Sequence, residues 1–280
     1  MAVLIQSLHY SPAIQSFQNP KPYRRNSVSS SHPPLLLRFR TSRRQKSQYL
    51  KSLGIECSTA ATVERLDHIL LIVDYLKNKG ILDSDFPRLS HLCPQIFLPS
   101  RSITTANLDA LFAFLESDVN ASPEQSRFLI TTCPELLRRN VNLSLRPTVE
   151  FLKEMSVRNL NSPTTINAHL INTPMERLVD KIRFMEQLGL SLEESRLFCR
   201  RFPAIFGYSL EFNLKPKVEY LVGEMKRPLS EMVKFPQYLG FSLEKRIVPR
   251  YLHLISRKKE RVPLPKMLMY SDAKFYQIWK

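Results

Sequence analysis

Lysine and arginine are the residues of this sequence best placed to do chemistry, and that chemistry is the neutralisation of phosphate. They number 41 against 25 Asp and Glu, a formal net charge of +16, and a surplus of this sign favours polyanionic partners. The other reactive side chains fall into no catalytic pattern. The six histidines are His9, His32, His68, His91, His169 and His253; none stands at the H-x-x-x-H or H-E-x-x-H spacing of a helical zinc site. No Gly-rich phosphate loop and no G-x-S-x-G turn occurs. The four cysteines, Cys57, Cys93, Cys133 and Cys199, form no C-x-x-C pair and read as small buried hydrophobes. Glu193 and Glu194 read as a first-turn pair complementing a helix dipole rather than an acid–base dyad. The expectation is a protein that is not an enzyme and needs no cofactor and no metal.

The basic residues that recur with the pattern of the chain are the candidate site. Arg138 and Arg139 follow Cys133-Pro134, while Arg200 and Arg201 precede Phe202-Pro203. Arg146 and Lys215 occupy matched places before Pro147 and Pro216; Lys217, Lys245, Arg246 and Arg250 continue the series. Arg257, Lys258 and Lys259, followed by Arg261, make the densest run after the N-terminal segment. Such residues would hold a phosphate backbone by displacing counterions and would not read bases. Phe275, Tyr276 and Trp279 offer rings for base stacking, but covering the last hydrophobic layer is the favoured role.

Something must place these cations in a row, and the prolines show what it is. There are 20 Pro and only 6 Gly, which disfavours a turn-rich β fold. Cys93-Pro94, Cys133-Pro134, Phe202-Pro203 and Phe235-Pro236 each lead into a hydrophobic pair, with Thr173-Pro174 as a degenerate fifth member. The steps from Pro94 through Pro134, Pro174 and Pro203 to Pro236 are the periods of helical-hairpin arrays. The segment from Ser122 to Pro134 aligns without gaps with that from Ser191 to Pro203, two such steps further on. Ser122 with Gln125 and Ser191 with Glu194 have capping-box spacing, so each starts a helix. That helix ends near Pro134 or Pro203, and a second begins near Pro147 or Pro216. Leu66, Ile69, Leu70, Val73 and Leu76, like Leu178, Ile182, Met185 and Leu188, recur at helical spacing, and Gly189 suits a helix end.

The N-terminal segment, from Met1 to Ile55, contains no Asp or Glu and nine Lys or Arg, and it is rich in serine. This is the composition of an organelle-import segment. Ile55-Glu56-Cys57 resembles a chloroplast processing site, so residues 1–57 are expected to be a disordered transit peptide; the chloroplast is the expected destination, with the mitochondrion as alternative. Without those nine, 32 basic residues face 25 acidic ones, a net +7. No apolar run approaches the roughly 18–20 residues of a membrane span.

The sequence resembles the mTERF family, the mitochondrial transcription termination factors and their plant organelle relatives. The resemblance rests on the recurring prolines, on Phe202-Pro-Ala-Ile-Phe-Gly-Tyr-Ser-Leu, and on the run from Phe235-Pro236 through Pro249-Arg250-Tyr251, and spans roughly residues 62–265. It implies an all-α solenoid of about five helix–turn–helix repeats in a left-handed superhelix over 58–265, with 266–280 as a cap. It also implies double-stranded DNA held along a basic groove and a role in organelle transcription or its termination. The alternatives are RNA, in plastid transcript or ribosomal RNA maturation, and an adaptor solenoid that binds organelle transcription or ribosome-assembly proteins. A monomer is expected.

Overall fold

The computed structural model describes residues 42–56, 62–98 and 103–280, and every regular element among them is helical. Two helices lead, α1 (Arg43–Ser52) and α2 (Val63–Asn78). Five helix pairs follow: α3 (Phe86–Leu92) with α4 (Thr105–Ser117), α5 (Pro123–Thr132) with α6 (Arg146–Glu154), α7 (Thr165–Ile171) with α8 (Met175–Gln187), α9 (Leu192–Arg201) with α10 (Lys215–Glu219), and α11 (Leu229–Lys234) with α12 (Val248–Ser256). Two short helices close the chain, α13 (Leu264–Leu268) and α14 (Asp272–Ile278). The array is an all-α solenoid, as the spacing of the prolines requires.

Each pair is built by the same local rules. Ser122 and Ser191 cap α5 and α9 in capping boxes closed by Gln125 and Glu194, which satisfies donors that a helix start leaves free. Four first helices end on a residue held out of helical geometry by the proline after it: Cys93, Cys133, Phe202 and Phe235 have φ between −146° and −130° and ψ between 67° and 77°. A 3-10 turn starts at that proline. In the second, fourth and fifth pairs the chain then enters the second helix through a π turn, at Val141–Leu145, Leu210–Leu214 and Leu243–Ile247. The cause is the second proline of each repeat, Pro147, Pro216 or Pro249. It lacks an N–H and its ring clashes with the carbonyl four residues back, so the turn widens. The amides of Leu145, Leu214 and Ile247 bond five residues back, to Asn140, Ser209 and Ser242. Thr173-Pro174 departs from this: Pro174 is itself the extended N-cap of α8, with no 3-10 turn between the helices.

Neighbouring repeats are stitched through one register position. Two residues inside the second-helix start stand Thr148, Lys217 and Arg250, all buried. Thr148 Oγ1 donates to Thr173 O (3.3 Å) and Lys217 Nζ to Leu239 O (2.6 Å), each in the following pair. Arg250 donates to Met267 O and Tyr270 O, both at 2.8 Å, in the closing helices. Each bond ties a buried donor to a backbone carbonyl of the next pair or of the closing helices. α5 packs on α7, and the proline turn after α9 packs on α7 and on the turn after α11, so the core runs continuously from Leu50 to Phe275.

The second helices of three pairs, the fourth pair's carried past α10 by a π turn at Tyr220–Glu224, end on a non-glycine residue in the left-handed region: Ser156 (φ 61°), Lys226 (φ 53°) and Lys258 (φ 57°). An L side chain there is strained, and glycine is not. Lys226→Gly and Lys258→Gly are each expected to stabilise the protein by about 0.5 kcal/mol, measured as a rise in the denaturation midpoint. A fall would mean that the lysine side chains stabilise those ends.

Residues 42–56 differ from the expectation of a disordered segment. α1 is capped by Ser42 and Gln45, and Gly54 turns the chain at φ 70°. Leu50, Leu53 and Ile55 are buried in the core beside α2, and Lys46 pairs with Asp67. Only Leu50 lies within α1, and Leu53 caps it. After the Gly54 turn the Ile55 amide bonds back to Leu50 O, which folds Ile55 onto Leu50, and α2 supplies the face that they cover. The rest of the expected address, residues 1–41, and Cys57 lie outside the described residues.

Candidate nucleic-acid interface

The repeats give every second helix two distinct ends, and the basic residues divide between them. At the proline-turn end, where the first helix stops and the second starts, lie Arg138, Arg139, Arg146, Arg200, Arg201, Lys215, Lys245 and Arg246. Arg257, Lys258 and Lys259 follow the C-terminus of α12 and so lie at the opposite end, about 14 Å away along a nine-residue helix. Lys217 and Arg250 belong to neither. They are 4% and 1% exposed and their charged groups are bonded inside the protein, so the expectation that they meet phosphate is corrected. Both occupy the position of Thr148, where the fold needs a buried donor.

Half-free cations must be separated from free ones. Arg146 Nε donates to Asp118 Oδ1 at 3.0 Å. That bond, with one from Ser117, holds the Asp118 carboxyl below the usual carboxylate range. Lys215 pairs with Glu211 one helical turn earlier. The matched pair singled out by the repeat is therefore engaged within the chain. Arg138 is bridged to Glu135 at 3.2 Å, and Arg139 is half-buried and donates to Asn172 O at 3.3 Å. Arg246 lies over the Phe241 ring and 3.9 Å from Asp272. Arg200, Arg201 and Lys245 are exposed and make no ion pair among the described residues. At the opposite end Arg257 and Lys258 are likewise free, while Lys259 lies over Trp279.

One free cation at the proline-turn end escaped the sequence reading. Lys234, exposed and without an ion pair among the described residues, precedes Phe235-Pro236 as Arg201 precedes Phe202-Pro203. Superposing Pro236 on Pro203 in the repeat gives this correspondence. The middle residue of each π turn that leads into a second helix is exposed. These residues are Leu143, Phe212 and Lys245, and the first two are 84% and 91% exposed.

The aromatic residues at the C-terminus divide by burial. Phe275 is fully buried under Arg250 and His253, whereas Tyr276 is exposed. Cys93, Cys133 and Cys199 are buried free thiols, and burial pushes the Cys199 thiol up to about 12 and the Cys93 thiol, which also faces Glu135, up to about 11. Thiols held protonated in this way are poor nucleophiles. Among the described residues no group of His, Cys, Asp and Glu converges as a metal site, and no helix is long and apolar enough to cross a membrane.

A family model described as mTERF matches the chain over two overlapping stretches, residues 61–166 and 159–276. The two overlap over residues 159–166, at the start of the third helix pair.

Proposed function

The chain belongs to the mTERF family of nucleic-acid-binding organelle factors, and from that premise we propose that it grips double-stranded DNA through the proline-turn end of its helix pairs. The observation that carries this reading is the set of exposed, unpaired cations at that end: Arg200, Arg201, Lys234 and Lys245. Arg138, Arg146, Lys215 and Arg246 lie at the same end but are held by internal carboxylates; they add little net counterion release, because a carboxylate given up for phosphate would recapture a cation. Solenoid repeats present equivalent positions in sequence, which suits a backbone that repeats its charge. The task is the regulation or termination of transcription in an organelle. The acid-free, serine-rich N-terminal segment supports the plastid as its location, with processing ahead of Ser42 so that α1 stays with the fold. The protein acts as a monomer.

Salt tests this directly. Four phosphate contacts give a log–log slope of about −3.6, so duplex affinity should fall by roughly 100-fold between about 50 and 200 mM salt. The measurement is fluorescence anisotropy with a duplex of about 20 base pairs. A flat response would remove the reading in favour of a protein-binding solenoid. Tighter, equally salt-dependent binding to a structured RNA would move the ligand from DNA to RNA.

A further inference from the structure

We propose that the irregular third helix pair forms a binding site for a phosphate group, centred on Lys181. An open cavity of about 880 Å³ lies where the second, third and fourth pairs meet. Arg139, Arg177 and Lys181 line it, together with Asn172, Glu135 and Glu211. Lys181 is 6% exposed, yet its ammonium has no hydrogen-bond or ion-pair partner among the described residues. Its neighbour Asp180 is taken by Arg183 at 3.6 Å. Its stem is buried while its charge opens on the cavity, where desolvation and the like charge of Arg177 both oppose it, so an anion there is favoured. One further lining cation holds a buried donor without a partner, Arg139 Nε.

Three cations therefore converge on one cavity, and two present donors that nothing in the chain satisfies. Arg177 and Lys181 stand one helical turn apart on α8 and so share a face. The two acids of the lining are already engaged, Glu135 by Arg138 and Glu211 by Lys215. Pro174, which caps α8 directly with no 3-10 turn before it, lines the cavity together with Phe206 and Tyr208 of the next repeat. A tetrahedral oxyanion satisfies an ammonium and guanidinium donors at once. The volume matches sites for small ligands, so the phosphate is either one of a nucleic-acid backbone or that of a free phosphorylated molecule. The backbone source rests on the duplex-binding reading, and the free source does not.

The test uses the full chain, inorganic phosphate as probe and thermal unfolding as readout, with chloride at equal ionic strength as reference. The wild type should show a saturable rise in melting temperature that is absent in Lys181→Met. The variant itself should melt no lower than the wild type without phosphate, because methionine keeps the buried stem and the charge it removes has no partner. Arg177→Ala, at an exposed position, should fold normally and weaken the phosphate response about fivefold. If the source is a backbone, Lys181→Met should also weaken duplex binding about tenfold and lower the salt slope by about 1; a duplex effect alone supports that source. A phosphate response with unchanged duplex affinity supports the free source. Phosphate responses and duplex affinities that are identical in the wild type and both variants overturn the site. Salt-independent duplex binding with the phosphate response intact would sink the duplex reading and leave this one standing.

Discussion

Arg250→Ala is expected to cost about 4 kcal/mol and to release the closing helices α13 and α14 before the rest of the array unfolds. The guanidinium is almost fully buried and works at four contacts: Met267 O, Tyr270 O, the Asp272 carboxylate and the face of Phe275, whose ring centre lies 4.6 Å away. Alanine leaves both carbonyls without a donor and opens a cavity against Phe275, and each orphaned carbonyl alone costs about 1–3 kcal/mol. Arg250→Lys keeps the charge but not the fork, so it should fall between the two. Thr148→Ala, at the equivalent place with a single bond of 3.3 Å, should cost only about 1 kcal/mol. The pH dependence has a defined sign. Arg250's hydrogen bond holds the Asp272 carboxyl below the usual range, so its contribution is complete above the ordinary carboxylate pKa and is lost as pH falls through the lowered folded value. Denaturant titration with circular dichroism reads the midpoint, and a loss below about 1 kcal/mol would show that Arg250 does not fasten the end.

Arg250 also shows where sequence reasoning stops. The period, the capping boxes at Ser122 and Ser191, and the helix ends before Pro134 and Pro203 were all legible, because each is set within a few residues of chain. So was the apolar stripe of α2. What escaped depends on contacts between repeats. Lys217 and Arg250 look like surface cations because their partners, Leu239 O and Met267 O, lie 22 and 17 residues away. Arg146 looks free because Asp118 is 28 residues back. A finer comparison of repeats gives a partial remedy. Aligning Thr148 with Lys217 and Arg250 puts a small neutral donor beside two cations, a sign that the position needs a donor rather than a charge. The same comparison finds Lys234 from Arg201. It fails at Thr173-Pro174, where no repeat is available to show the cavity that Pro174 lines. At the N-terminus, basic and serine-rich composition hid the apolar pattern of Leu50, Leu53 and Ile55, because composition averages over a stretch whose last part folds.

Which end of the helix pairs meets the ligand is decided by a comparison of charge reversals. Replacing Arg200, Arg201, Lys234 and Lys245 together by glutamate should weaken duplex binding by about 1,000-fold or more at moderate salt and make the log–log salt slope shallower by about 3–4. Four contacts are lost and four repulsive charges are gained on one face. Stability should change little, since all four are exposed and unpaired. The exceptions are α9, whose last turn contains Arg200 and Arg201, and α11, whose last turn contains Lys234; glutamate there opposes the helix dipole and costs about 0.3–1 kcal/mol per residue. Reversing Arg257, Lys258 and Lys259 changes the net charge almost as much but at the opposite helix end, and should weaken binding by less than about tenfold through the long-range field alone. Arg146→Gln with Lys215→Gln should have a smaller effect still. Removing either cation also frees the carboxylate it neutralises, Asp118 or Glu211, so the two variants report that competition rather than the loss of a free contact. If the triple reversal at 257–259 proved the more damaging, the ligand would lie at the C-terminal ends of the second helices and the proline turns would be scaffold alone.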